Sequence, residues 1–446
     1  MAATKRQMKL GFSLTPNGTH KGGWRHPKSW VGGGTDIDQW KDIAQAAERG
    51  KMHFIFWADS GTLRSHASTT DALSYNSRIE VLEPTTEIAA LSQWTKHIGF
   101  IATASTSFNE PYNIARRFAS LDHISKGRVG WNVVSSQLER EARNFGLDTL
   151  YEHGERYRRA EECLDVVKGL WDSWEDDAFC RDQASGRYFT PEKLHTLHHK
   201  GEFHSVEGPL NIPRPPQGHP VIAQAGASPP GRELAARTAD MIYTAQQEIE
   251  GAKAFYADVK GRMAKYGREP DDLVVMPGIM PIIGRTDAEA QEMQDYLQDL
   301  VHPVAGLSAA SKFFGDLSHL QLDAPVPEIS AETNSGQSNR QMWIDRVKRE
   351  NMNVGQLLKA FATSAVHKAV CGSPQTVADI MEDWFVSFAC DGFAVQATWM
   401  PGAVYEFVDL VVPELQRRGV FHTEYEGATL RENLGLKRPP NRFVKA

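Results

Sequence analysis

The amino-acid sequence predicts an α/β fold, a TIM (β/α)8 barrel with insertions at the C-terminal face of its strands. Two observations lead there. Six apolar, strand-like runs (53–59, 98–103, 128–132, Val221–Gln224, Met241–Thr244 and 393–398) each end on a small or polar residue beside a helical pattern. Lys9–Leu14 and Val274–Ile283 bring the number of runs to eight. Strand alternating with helix along a whole chain implies a parallel sheet, and about eight such units close into a barrel. Polar residues at the C-terminal ends of those strands are then the first candidates for chemistry.

The elements follow in order. Residues 9–14 form the first strand, and a Gly-rich connection runs to Thr35. Asp36 or Thr35 caps a helix over 37–49 that Gly50 ends. A polar loop after Asp59 reaches Glu83, and Pro84 opens a helix to Lys96, at a position where its missing N–H is harmless. Pro111 starts a helix to Ser125, which Gly127 breaks before the fourth strand. A long helix covers 151–171. Residues 175–220 are loop-rich, with Pro209, Pro213, Pro215 and Pro216 crowded ahead of the fifth strand. Helices over 230–238, 248–266 and 287–300 separate the later strands. Pro277 and Pro281 require the strand 274–283 to bend or bulge. The stretch before the last strand is longer than one crossover helix needs. Its part 301–339 is rich in Gly, Ser, Pro and Asp, and is predicted to be a lid insertion above the barrel mouth. All 446 residues are read as one domain.

Composition narrows the function classes. Hydrophobic residues at 41% and charged residues at 24% are ordinary globular usage. A net charge of −7 supplies no basic field, so nucleic acid is not an expected partner. Cys163, Cys180, Cys371 and Cys390 are scattered without metal-site spacing, as in a reducing cytoplasm. The polar start of the chain has no signal-peptide pattern, and no apolar run is long enough for a bilayer, so a cytoplasmic protein without membrane association is expected. His195, His198 and His199 form the densest histidine cluster, in a polar loop without a carboxylate set nearby in sequence. A surface cluster is the expectation there, and no metal site is assigned. No G-x-S-x-G elbow is present, which lowers a hydrolase reading.

Six residues stand out at strand and helix ends. Asp59 either binds a polar ligand or caps the next element. Thr103 offers a hydroxyl, and Asn132 an amide that both donates and accepts, suited to the edge of a heteroaromatic ring. His153 and Tyr157 are four apart at a helix start, hence on one face, where they suit a phosphate or form only a cap and a surface pair. Ala225-Gly226-Ala227-Ser228-Pro229-Pro230-Gly231 follows the fifth strand, and its small residues let backbone amides approach an anion, with the Ser228 hydroxyl beside them. Phe12, Trp24 and His26 are candidates to shape a ligand, although packing is the commoner role of such aromatics. Arg25 would suit a substrate carboxylate.

Taken together, the chain resembles the bacterial-luciferase-like flavin monooxygenases, nearest the branch with the nitrilotriacetate, dibenzothiophene-sulfone and long-chain alkane monooxygenases. The resemblance rests on Gly22-Gly23-Trp24-Arg25-His26-Pro27, on Glu48-Arg49-Gly50-Lys51 through Ala58-Asp59, and on Glu83-Pro84. It continues in Thr103-Ala104-Ser105-Thr106-Ser107, Arg116-Arg117-Phe118-Ala119-Ser120-Leu121-Asp122 and Lys126-Gly127-Arg128-Val129-Gly130-Trp131-Asn132. His153-Gly154-Glu155-Arg156-Tyr157, Gln224-Ala225-Gly226-Ala227-Ser228 and Gly372-Ser373-Pro374 complete it. The resemblance implies FMN, used as FMNH2 supplied by a separate flavin reductase, with O2 as co-substrate. It implies insertion of one oxygen atom into a small organic substrate, with C–N or C–S cleavage, by a homodimer or homotetramer. By the same motifs Asp59, Thr103, Asn132, His153, Tyr157 and Ser228 would line the flavin site. Ser228 and Tyr157 would hold phosphate, Asp59, Thr103 and Asn132 would lie nearer the ring, and His153 would handle a proton. An F420-dependent hydride-transfer oxidoreductase and a flavin-binding protein without turnover are the alternatives.

Overall fold

The computed structural model describes residues 6–63, 69–315, 317, 319–327, 337–364 and 366–444. Nine parallel strands form its main sheet: β1 (Lys9–Leu14), β2 (Phe54–Trp57), β3 (Gly99–Ser105), β4 (Val129–Val134), β5 (Val221–Gln224), β6 (Met241–Thr244), β7 (Val274–Ile283), β8 (Lys368–Gly372) and β9 (Gly392–Val395). Eight of them close a barrel in the order β1-β2-β3-β4-β5-β6-β7-β9, with β9 pairing back onto β1 through Val395 and Phe12. The predicted fold class is therefore the observed one.

Side-chain alternation explains both the core and the site. Residues of one parity point into the barrel, where Phe54, Phe56, Ile101, Ala223, Met241 and Met276 fill the interior. Leu430, Leu434 and Leu436, in and just after the short helix Leu430–Asn433, join this cluster. Gly11 belongs to the same layer because a Cβ there would lie 2.3 Å from the Phe54 ring. The opposite parity faces the helices. Phe12, for example, packs edge-on against Phe407 with ring centroids 5.8 Å apart, so it is a core residue and not a ligand contact.

The helical layer follows the sequence signals closely. In α1 (Ile37–Arg49) Trp40, Ile43, Ala44 and Ala47 are buried at helical spacing, and Asp36 caps it by accepting from the amides of Asp38 and Gln39. Next come α2 (Pro84–Leu91), α3 (Pro111–Ser125), α4 (His153–Trp171), α5 (Pro229–Thr238), α6 (Ile249–Arg262) and α7 (Asp287–Asp299). Among the described residues no helix is long and apolar enough to cross a membrane.

Helix α2 stops at Leu91, short of the Lys96 expected from sequence, and buried Arg128 supplies the reason. Its guanidinium donates to the carbonyls of Ser92 (2.6 Å), Thr95 (3.2 Å), Ile98 (2.8 Å) and Ser125 (2.7 Å), and to Thr95 Oγ1 (2.9 Å). The Ser92 and Thr95 carbonyls turn toward the cation instead of extending the helix. Arg128→Ala removes the shared donor and leaves several buried acceptors without a partner. Denaturant unfolding is expected to show a loss of about 4 kcal/mol or more.

Two further expectations change. β7 does not merely bend at its prolines: it pairs with β6 through residue 277, touches β9 at Gly278 and Ile279, and pairs with β8 from Ile279 to Ile283. β8 was missed because its apolar run, Ala369 to Cys371, is only three residues long, and only Val370 and Gly372 of the strand are buried. The segment 301–339, predicted to be a lid insertion, begins with a helix that the sequence reading did not assign, α8 (Pro303–Phe314); residues 316, 318 and 328–336 of it lie outside the described residues. Together with α9 (Gln337–Glu350) and α10 (Val354–Thr363) it builds a separate cluster around Ala310, Phe314, Trp343, Leu357 and Phe361.

Candidate active site

A cavity of about 590 Å³ opens at the C-terminal ends of the strands. Its base follows from strand parity. One pleat above the filled interior layer the inward residues become polar, namely Ser13, Thr103, Asn132, Tyr243 and Gln396, and of these Ser13, Tyr243 and Gln396 line the cavity. Apolar walls come from Trp40, Trp57, Leu82, Val133 and Leu234, and Phe361 of α10 also reaches the cavity.

On one side the hydrogen-bond chain runs in a single direction. Thr103 Oγ1 donates to the Trp57 carbonyl (2.7 Å) and accepts from Asn132 Nδ2 (2.7 Å). That order fixes the amide, so Asn132 Oδ1 is a buried acceptor without a hydrogen-bond partner among the described residues. Asp59, two residues beyond β2, lines the cavity with Ala58 and Ser60. Glu87 of α2 stands on the same wall. Burial raises its carboxyl to about 8, the Trp57 side chain opposes that shift, and the Glu83 and Asp59 charges add to it.

The opposite side is built around β5 and α5. Tyr157 Oη and Ser228 Oγ lie 3.3 Å apart. Ser228 also caps α5, accepting from the Gly231 amide at 3.4 Å. Gly226 and Gly231 meet backbone to backbone: a Cβ on either would come within 2.9 Å of the other's Cα, and one on Gly231 within 3.1 Å of Tyr157 Oη. Pro229 and Pro230 occupy the first helical turn and bring no N–H, so the cradle depends more on the two hydroxyls than the sequence pattern suggested.

Of these residues Asp59 and Tyr157 line the cavity; Thr103 and Asn132 are buried at neighbouring strand ends and bonded to each other, and Ser228 stands 3.3 Å from Tyr157. His153 is the first residue of α4. Its ring lies 5.0 Å from that of Tyr157, and it is exposed, outside the cavity lining. Arg25 does not serve the cavity: it is exposed, and Nη1 donates to the Leu300 carbonyl at 2.6 Å. His26 packs on Trp399 at 4.0 Å. The histidine cluster also differs from expectation, because carboxylates do reach it. His195 pairs with Glu175 at 3.0 Å and His199 with Glu162 at 2.9 Å. Their partners diverge, and among the described residues no group of three His, Cys, Asp or Glu is arranged to hold a metal ion.

Several cavity residues escaped the sequence reading. Gln396 Nε2 donates to Tyr243 Oη (2.7 Å), which lies 2.8 Å from His367 Nε2. Burial holds His367 down at about 4, which keeps the ring neutral. It sits over Gly278, where a Cβ would lie 2.3 Å from Nδ1. Ser136 adopts a left-handed conformation (φ 55°), held by a Ser105–Ser136 hydroxyl contact of 2.7 Å and by Arg156 donating to its carbonyl. The Tyr243 and Gln396 signals were available: once Met241 and Ala394 are placed inward, the residues two further on must be inward as well.

A closed (β/α)8 barrel with a chamber at the C-terminal ends of its strands, polar at its base and aromatic on its walls, has the architecture of a barrel enzyme. The chain belongs to the luciferase-like monooxygenase family, which matches residues 11–391. It is 48% identical to nitrilotriacetate monooxygenase component A of Aminobacter aminovorans and 46% identical to N-acetyl-S-(2-succino)cysteine monooxygenase of Bacillus subtilis, with all of both chains covered in each case. The crystal structure of DmoA from Hyphomicrobium sulfonivorans superposes with a TM-score of 0.88 at 32% identity, covering 96% of this chain and 92% of that one. The protein is accordingly a flavin-dependent monooxygenase.

Proposed function

We propose that the protein is the oxygenating component of a two-component system, receiving reduced FMN from a separate flavin reductase. The Tyr157–Ser228 hydroxyl pair, with Tyr157 lining the chamber, carries this reading as a phosphate seat, and the buried acceptor of Asn132 at the inward end of β4 supports it as a partner for a ring edge. The name of its relative in Aminobacter, component A, supports the division of labour.

Reduced FMN supplies two electrons, so that one atom of O2 enters the substrate and the other leaves as water. The protein's part is positioning and exclusion. Asp59, Thr103 and Asn132 orient the ring, Tyr157 and Ser228 donate to the phosphate, and His153 joins Tyr157 at that end. Trp40, Trp57, Leu82 and Val133 keep water from the reacting face, and the helical cluster containing α8 and α10 covers the mouth. The substrate class is a small organic compound oxidised at a carbon beside nitrogen or sulfur. Once that carbon bears a hydroxyl, expulsion of the heteroatom cleaves the C–N or C–S bond.

An anaerobic titration with FMNH2 and, separately, with reduced F420 tests the assignment. Saturable FMNH2 binding with no response to F420 is expected. Binding of F420 alone would replace oxygen chemistry by hydride transfer.

A further inference from the structure

The cavity wall also carries a cation that the flavin-binding residues do not use. Lys21 hangs between the end of β9 and the end of α10. Its amide donates to the Ala362 carbonyl (3.0 Å), while the amides of Thr19 and His20 donate to the carbonyls of Ala397 (2.7 Å) and Thr398 (3.0 Å). The side chain lines the cavity, and among the described residues Nζ makes no hydrogen bond or ion pair. Arg78 lines the same wall, and its guanidinium donates to the carbonyls of Gly18 and Thr19.

The Arg78 charge, together with burial, lowers the Lys21 ammonium to about 7. Among the described residues no carboxylate is one of the groups acting on it. Of the cavity's acids, Glu141 accepts the Gly61 amide at 3.0 Å, Glu87 stands with Trp57, and Asp59 lies just beyond the end of β2 beside Ala58 and Ser60; none is among the groups that act on Lys21. Two like charges beside a chamber, one with no partner for its donors, make a site that an incoming anion completes.

We propose that the substrate carries a carboxylate, bound by Lys21 Nζ with Arg78 as the neighbouring cation, and that this pair selects small organic acids over neutral compounds. The proposal rests on the reading of this cavity as the substrate chamber. It moves the anion-recognising role from Arg25, which faces away, to Lys21. The pair also lies apart from the Tyr157–Ser228 cradle, so it is distinct from the seat assigned to the flavin phosphate.

Calorimetric titration tests it, using acetate, succinate and nitrilotriacetate against acetamide, succinamide and nitrilotriacetamide, with wild type, Lys21→Met and Lys21→Arg. Wild type is expected to bind at least one acid about tenfold or more tighter than its amide. Lys21→Met should lose that preference, and Lys21→Arg should keep most of it. FMN and riboflavin titrations of the same proteins should give an unchanged FMN preference in Lys21→Met. Absence of any acid preference in wild type, or its survival in Lys21→Met, overturns the proposal. So does a loss of FMN preference in Lys21→Met, which would give the cations to the flavin phosphate. FMNH2 binding in the same preparations separates the two claims. If it holds while acid preference fails, only this inference falls; if it fails while acid preference holds, only the cofactor assignment falls.

Discussion

Replacing Tyr157 by Phe and Ser228 by Ala together is expected to weaken FMN binding by about a hundredfold while riboflavin binding changes little. Each hydroxyl would donate to a phosphate oxygen, and hydrogen bonds to charged groups contribute about 1.5–3 kcal/mol. Two at the lower end amount to about 3 kcal/mol, or roughly a hundredfold. The comparison with riboflavin isolates the phosphate, because the ring partners Asp59, Thr103 and Asn132 are untouched. Ser228 also caps α5, so the fold needs its own control: losing an N-cap costs about 1 kcal/mol, a modest and separately measurable change. Gly231→Ala should weaken FMN binding as well, since its Cβ would press on Gly226 and on Tyr157 Oη. Quenching of flavin fluorescence across these variants checks all three. Equal losses for FMN and riboflavin would move the phosphate elsewhere.

The second large effect belongs to Glu87. Its folded pKa of about 8 lies above the ordinary value of 4.5, so the folded protein binds a proton that the unfolded chain has released between those pH values. Stability from this group is fully present below about 4.5, falls as pH rises through the window, and levels off above about 8. Glu87→Gln is neutral throughout and keeps an oxygen near Trp57. It should match wild type near pH 4.5 and exceed it at pH 9 by a few kcal/mol, since each pKa unit corresponds to about 1.4 kcal/mol. Buried Asp122, raised to about 6, pulls in the same direction at lower pH, but it is common to both proteins and cancels in the difference. Denaturant melts of the pair from pH 5 to 9 give the slope directly. Parallel curves would mean that Glu87 is ionised in the fold at neutral pH.

Much of this architecture was legible before any coordinates. All eight barrel strands were located, because buried parallel strands are short apolar runs with polar ends. β8 was not, since it lies along the upper half of β7 with its side chains half exposed. The helices over 303–314 and 337–363 were hidden by Gly, Ser and Pro in the intervening segment, although Phe314, Trp343, Leu357 and Phe361 supply an apolar cluster of their own. In the site, pairs set by local spacing were readable: His153 with Tyr157 by helical periodicity, and Ser228 with its glycines by loop composition. Pairs set by barrel closure were not. Lys21 meets Arg78 only where the loops converge over the mouth, and Tyr243 meets His367 and Gln396 only because β6, β8 and β9 all pair with β7. Arg25 looked like a substrate ligand, but the 3-10 turn Gly23–Arg25 carries it to the surface beside Leu300, while Lys21 is the basic residue of that segment that reaches the cavity.

The central claim is that this chamber holds reduced FMN and shields it while oxygen reacts. Stopped-flow mixing of the protein, preloaded anaerobically with FMNH2, against O2-saturated buffer tests it by following the return of oxidised-flavin absorbance. Recovery is predicted to be slower than for free FMNH2, and to revert to the free rate in the Tyr157→Phe, Ser228→Ala variant. Recovery at the free rate in wild type under saturating binding would contradict the account.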